Sequence, residues 1–183
     1  MKKKFIVPIM ALFAACLLVL TGCSPSAEQL IREDLEAQFA EVKADNEEML
    51  EAIESSAGEN FDSLGIDPGE FMNTYLDGFA YTINEITVED KTANANVTVT
   101  AKSMGDIVNE FQLQFTEYLS GIDLTTISGE DELFQQAGQI LLEVAQGIEP
   151  QEVDCNFTYS QDDEGVWSAD ESAASELTNA LMS

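Results

Sequence analysis

Histidine is missing from all 183 residues. Its absence removes the side chain most used as a general base near neutral pH and the usual nitrogen ligand of zinc. Cysteine is scarce, with three residues at positions 16, 23 and 155, too few for a disulfide framework. Basic residues are nearly as rare: seven Lys and Arg stand against 35 Asp and Glu. That balance disfavours nucleic acid and anionic lipid headgroups as partners, because both recruit proteins through positive charge. It favours solubility and repulsion between copies. Long apolar runs are confined to residues 5–20, which are only 16 residues long and contain Pro8. A membrane-spanning helix needs about 20.

What is present begins with that run. Lys2-Lys3-Lys4 precedes it and Leu20-Thr21-Gly22-Cys23 closes it. A basic opening, a short apolar stretch and a small-residue cleavage site read as an export signal, set aside before fold reasoning. The closing tetrad resembles the lipobox of bacterial lipoproteins. The resemblance implies transfer of diacylglycerol to Cys23, cleavage between Gly22 and Cys23, and residues 1–22 as signal peptide. It further implies attachment to the extracytoplasmic face of the cell membrane, with palmitate-type acyl chains on Cys23. Two chains bind a bilayer stably where one binds marginally. Cys16 then leaves with the signal, Cys23 carries lipid, and Cys155 remains alone. Losing residues 1–22 leaves 161 residues, enough for a domain with a core. Four basic residues (Arg32, Lys43, Lys91, Lys102) then face all 35 acids, a net charge of −31.

Residues 23–25 form a short tether, and residues 26–183 read as a single α+β domain. Ser26 and Gln29 fit a capping box. Leu30, Ile31, Leu35, Phe39, Val42, Met49, Leu50 and Ile53 follow at helical steps up to Gly58. The pattern allows one helix of about 30 residues or two broken near Asp45-Asn46. Asp67-Pro68-Gly69-Glu70 opens another helix. Alternation then takes over: Phe79, Tyr81 and Ile83, then Ile86 and Val88 in the opposite phase, which predicts a bulge at Asn84-Glu85. Beyond the polar turn Glu89-Asp90-Lys91, Ala93 to Ala101 alternate with Asn94, Asn96, Thr98, Thr100 and Lys102, one face buried and one wet. Helical spacing returns from Met104 to Leu119. A second helix, capped by Ser128 with Asp131, runs through Val144 until Gly147 and Pro150 stop it. Val153, Cys155, Phe157 and Tyr159 predict a third strand, Val166-Trp167-Ser168 a short fourth, and residues 171–182 a closing helix.

This order, with the strand at Ala93–Lys102 running into Ser103–Leu119 and the closing stretch from Gly165 through Leu181, resembles the cystatin-like, nuclear-transport-factor-2-like fold. It is also similar to small lipoproteins of uncharacterised Gram-positive families. The resemblance implies an antiparallel sheet of about four strands packed against long helices. It carries no activity across, since enzymes and binding modules share such sheets.

Candidate sites are few. Tyr75, Phe79, Tyr81, Phe157, Tyr159 and Trp167 could line a cavity between sheet and helices that takes an apolar ligand; plain core is the commoner role for such side chains. Asp162-Asp163-Glu164 lacks the alternating carboxylate spacing of a calcium loop and reads as a solvated turn. Cys155, in phase with apolar neighbours, reads as a buried thiol. No nucleophile–base pair, metal set or cofactor motif stands out. The function expected is therefore a non-enzymatic, membrane-tethered binding or protein-interaction module. Its partner would be an envelope protein or a small ligand, with carriage of a small apolar ligand as the alternative.

Overall fold

The computed structural model describes residues 25–43, 45–122 and 129–182. The expected signal segment and the expected lipidation site at Gly22 and Cys23 lie outside them, as does the expected cap Ser128. In chain order the elements are α1 (Ala27–Ala40), α2 (Glu47–Leu64), α3 (Pro68–Tyr75), β1 (Ala80–Glu89), β2 (Thr92–Ala101), α4 (Met104–Gly121), α5 (Glu130–Gly147), β3 (Gln151–Gln161), β4 (Trp167–Ala169) and α6 (Ser172–Met182). The class is α+β, with one four-stranded antiparallel sheet ordered β1-β2-β3-β4. The chain weaves between two compact units. One takes residues 25–42, Ala80–Val99 and Glu152–Ala180. The other takes Lys43–Phe79, Thr100–Gln151 and the last residues from Leu181.

The sheet unit starts at Ser26. Its hydroxyl accepts from Gln29 N at 3.3 Å while its own N–H donates to Gln29 Oε1 at 3.0 Å, closing the capping box. Ile31, Leu35 and Phe39 recur every four residues and are buried, with α1 lying along β1 and β4. Beneath it the sheet buries alternate residues, as a strand with one wet face must. These are Ala93, Ala95, Val97 and Val99 on β2, then Cys155, Phe157 and Tyr159 on β3. Burial in β1 changes phase at Asn84-Glu85, both of them exposed, so Tyr81 and Ile86 can face the same way. Asp90, at φ 54°, makes the left-handed step of the β1–β2 turn. At the far hairpin Tyr159, Ser160 and Gln161 pair with Ala169, Ser168 and Trp167.

The helical unit gathers α2, α3, α4 and α5 around Ile66, Phe71, Met72, Tyr75, Ile107, Ile140, Val144 and Ala145. Here the two-helix reading of the N-terminal pattern holds: α1 stops at Ala40 and α2 starts at Glu47. Gly58 does not end a helix; it sits inside α2, which runs on to Leu64. The true stop is Gly65 at φ +66°. Gly65 N bonds Asp62 O and Ile66 N bonds Phe61 O, the paired 5→2 and 6→1 bonds of a Schellman cap. Asp67 then accepts from Glu70 N at 3.0 Å and opens α3. The N-cap of α5 is Gly129, with no side-chain bond. Lys102, placed by alternation on the wet face, is instead 3% exposed. β2 ends at Ala101, so the alternation no longer governs it, and its Nζ donates to Ala145 O at 2.8 Å in the last turn of α5.

Candidate functional site

The six aromatic residues singled out above divide between the two units. Tyr75 and Phe79 belong to the helical unit. Tyr75 stacks on Phe71 with centroids 6.3 Å apart, and its hydroxyl donates to Leu181 O at 2.9 Å. Burial pushes that hydroxyl up to about 12. Phe79 is half-buried.

The other four belong to the sheet unit, and Phe39 of α1 organises two of them. Tyr81 stacks on it at 4.4 Å and 17°, and Phe157 meets it edge-on at 5.9 Å and 87°. Offset stacking and edge contacts are the arrangements that ring quadrupoles favour. Phe157 and Tyr159 are fully buried, so both serve as core, whereas Tyr81 and Trp167 are half-buried.

Tyr159 reaches a residue that sequence reasoning missed. Its hydroxyl donates to Asp34 Oδ2 at 2.8 Å, and Gln38 Nε2 donates to the same oxygen at 2.6 Å. Burial holds the Asp34 carboxyl above the ordinary carboxylate value, although both hydrogen bonds pull it back. Burial first, then the Asp34 charge and its hydrogen bond, push Tyr159 well above the usual tyrosine range. The signal for Asp34 was its spacing, three residues after Ile31 and next to Leu35: an acid at the edge of an apolar stripe. Chemically the triad ties α1 to β3 through one charged acceptor.

Cys155 is free and buried. Burial, then the charges of Glu176 and Asp154, push its thiol up to about 11, so it stays protonated and unreactive at neutral pH. At the β3–β4 turn Asp162 Oδ1 accepts from Glu164 N and Val166 N, each at 2.9 Å, and Asp163 meets Lys91 Nζ at 2.7 Å. Both carboxylates thus have protein partners. Among the described residues no group of three or more His, Cys, Asp or Glu could hold a metal ion.

The wet face of the sheet carries a bonded array of short polar side chains. Asn84 Nδ2 donates to Asn96 Oδ1 and Thr98 Oγ1, both at 2.8 Å. Asn96 continues to Asn156 at 3.3 Å, and Thr98 donates to Asp154 at 2.7 Å. Three strands are cross-linked by groups that alternation aims at solvent.

No family model matches the chain, and no curated protein matches it. Among solved structures it is similar to one described as "a putative lipoprotein (ycdA)" from Bacillus subtilis subsp. subtilis str. 168. The two share 17% identity at a TM-score of 0.39, over 81% of this chain and 47% of that one. The chain therefore spans about half the length of that protein.

Proposed function

We propose that this chain is a lipoprotein tethered to the extracytoplasmic face of the cell membrane, whose folded body acts as a non-enzymatic protein-interaction module. The observation that carries the reading is Lys2-Lys3-Lys4, the apolar run 5–20 and Leu20-Thr21-Gly22-Cys23 in that order. Two further facts support it. With Ser26 as the cap of α1, only Ser24, Pro25 and Ser26 lie between the acceptor thiol and Ala27, so the body stands close to its anchor. No described helix is long and apolar enough to cross a membrane.

The test is metabolic labelling with a palmitate analogue followed by fractionation of cells expressing the full chain or Cys23→Ala. The wild-type chain should carry label and pellet with membranes, and the variant should do neither. A variant still processed and pelleted as before would sink the reading.

A second reading, carriage of a small apolar ligand, draws on the half-buried Tyr81 and Trp167 in the sheet unit. Trp167 is the sole tryptophan, so a bound fatty acid or apolar dye would shift its emission. An emission spectrum unchanged up to the ligand's solubility limit counts against this reading.

A further inference from the structure

We propose that the half-covered apolar stripe shared by α4 and α5 in the helical unit docks a basic, amphipathic helix of a partner protein; this deepens the interaction-module reading and rests on it.

Burial falls off along the apolar stripe of each helix. On α4 the stripe runs through Ile107, Phe111, Phe115 and Tyr118, at steps of four, four and three. Ile107 is fully buried, while the three aromatic residues after it are only half-buried. They form a ladder of stacked rings, 5.6 Å apart at 9° and then 6.3 Å apart at 16°. On α5 the same thing happens in the opposite sense along the chain. Ala137, Ile140, Val144 and Ala145 are buried, but one turn earlier Leu133 is half-buried and Phe134 is 46% exposed. Phe134 precedes Ala137 by three residues and Leu141 by seven, so it lies on the core-facing stripe. Apart from Val108, which is 42% exposed near the start of α4, the uncovered turns are the late ones of α4 and the early ones of α5. Leu113 differs. It is 67% exposed, but its position on the helix turns it away from Phe111 and Phe115. It is a lone surface leucine of the kind that needs no explanation.

Charge decides the occupant. The helical unit carries 19 acids and two cations, Lys43 and Lys102. Lys102 is buried on Ala145 O. α4 and α5 hold no Lys or Arg; they carry Asp106, Glu110 and Glu117, then Glu130, Asp131, Glu132 and Glu143. Glu130 lies one turn before Phe134 on the same side of the helix. A second copy of this chain would bring the same charge to the same place, and an anionic bilayer would do likewise. A helix with apolar residues on one face and Lys or Arg beside them meets both requirements. Such a helix binds by laying its apolar face against a hydrophobic surface of its partner.

The purified full chain is titrated against a fluorescein-labelled 18-residue peptide of Leu and Lys at amphipathic helical spacing, read by anisotropy, with a matched Leu/Glu peptide alongside. The Leu/Lys peptide should bind, more weakly at higher salt, and the Leu/Glu peptide should not. Phe134→Asp should weaken binding tenfold or more even though it adds negative charge, which separates apolar contact from attraction alone. Leu113→Asp and Asp163→Asn should leave affinity unchanged. If circular dichroism shows Phe134→Asp unfolded, Phe134→Ser takes its place with the same expected loss. Equal binding by the Phe134 variants, or equal loss with Leu113→Asp, overturns the proposal. So does a dimer seen by sedimentation that Phe134→Asp dissolves, or tighter binding to phosphatidylglycerol vesicles than to the Leu/Lys peptide. The palmitate experiment on Cys23 reads a different atom, so either result can fail while the other stands.

Discussion

Asp34 is one of 35 acids, but it has two donors on one oxygen and a fully buried tyrosine above it. Because burial lifts its folded pKa above the ordinary 3.8, its contribution to stability is fully present below that value. It is lost as pH rises through the folded pKa. Asp34→Asn keeps an oxygen for the Tyr159 hydroxyl and cannot ionise. Its stability relative to wild type should therefore climb from about pH 3.8 upward and level off above the folded value. Urea denaturation of both proteins between pH 3.5 and 7 checks this, and a difference that stays flat with pH refutes it. Tyr159→Phe removes one donor and should cost about 1–2 kcal/mol at pH 7. Lys102 works through its bond to the main chain. Its ammonium satisfies a carbonyl in the last turn of α5, where a helix favours positive charge. Lys102→Met leaves Ala145 O without that partner and should lower stability by about 1–3 kcal/mol in urea melts.

At the scale of elements, two glycines of the helical unit predict opposite results from one substitution. A Cβ on Gly138 of α5 would lie in hard collision with Leu64 O and against Ile66, so the α2–α5 contact exists only while that position is bare. Gly138→Ala should destabilise by about 3 kcal/mol, since close packing does not yield to an added methyl. Gly58, within α2, would place its Cβ 3.9 Å from Glu54 Cβ, an ordinary contact. Gly58→Ala should stabilise by about 0.5–1 kcal/mol through helix propensity and a less flexible unfolded chain. Thermal melts of the pair distinguish them by sign. These glycines also mark where sequence pattern stops being informative. Strands and caps were legible because they obey local rules: the alternation of Ala93 to Ala101, the capping box at Ser26, Asp67-Pro68 at α3. Gly58 looked like a helix end and is not, because a single glycine costs less than the burial its helix gains. Gly65 ends that helix through a left-handed step that composition does not announce. The fate of Lys102 and Asp34 depended on residues 43 and 125 positions away, and period says nothing about partners at that range. The same limit scattered the six aromatic candidates. They were named as cavity lining or as plain core, and the pattern could not say that Tyr75 and Phe79 belong to one unit and Tyr81, Phe157, Tyr159 and Trp167 to the other.

For the molecule as a whole, the dominant fact is a net charge of −31 after residues 1–22, shared as 16 acids against two cations in the sheet unit and 19 against two in the helical unit. Each unit therefore repels itself. Attraction offsets little of this: the Lys91–Asp163 pair joins two exposed side chains, where solvent screening leaves little net gain. What holds the acids together is the apolar interior. Salt thus acts mainly on repulsion, and the Debye length shrinks from roughly 30 Å at 0.01 M to about 3 Å at 1 M. Stability should rise with sodium chloride across that range, most steeply at the low end, where the Debye length falls from roughly 30 Å to about 10 Å and long-range repulsion within each unit is screened first. Melting temperatures of the full chain at 0.01, 0.1 and 0.5 M salt test this, with a gain of several degrees expected. A fall in melting temperature over the same range would mean that ion pairs outweigh repulsion, and the charge argument for a basic partner would lose its foundation. The two effects of salt must part company: the same additions that raise the melting temperature should weaken the Leu/Lys peptide, because screening relieves the body and blunts its attraction in one step.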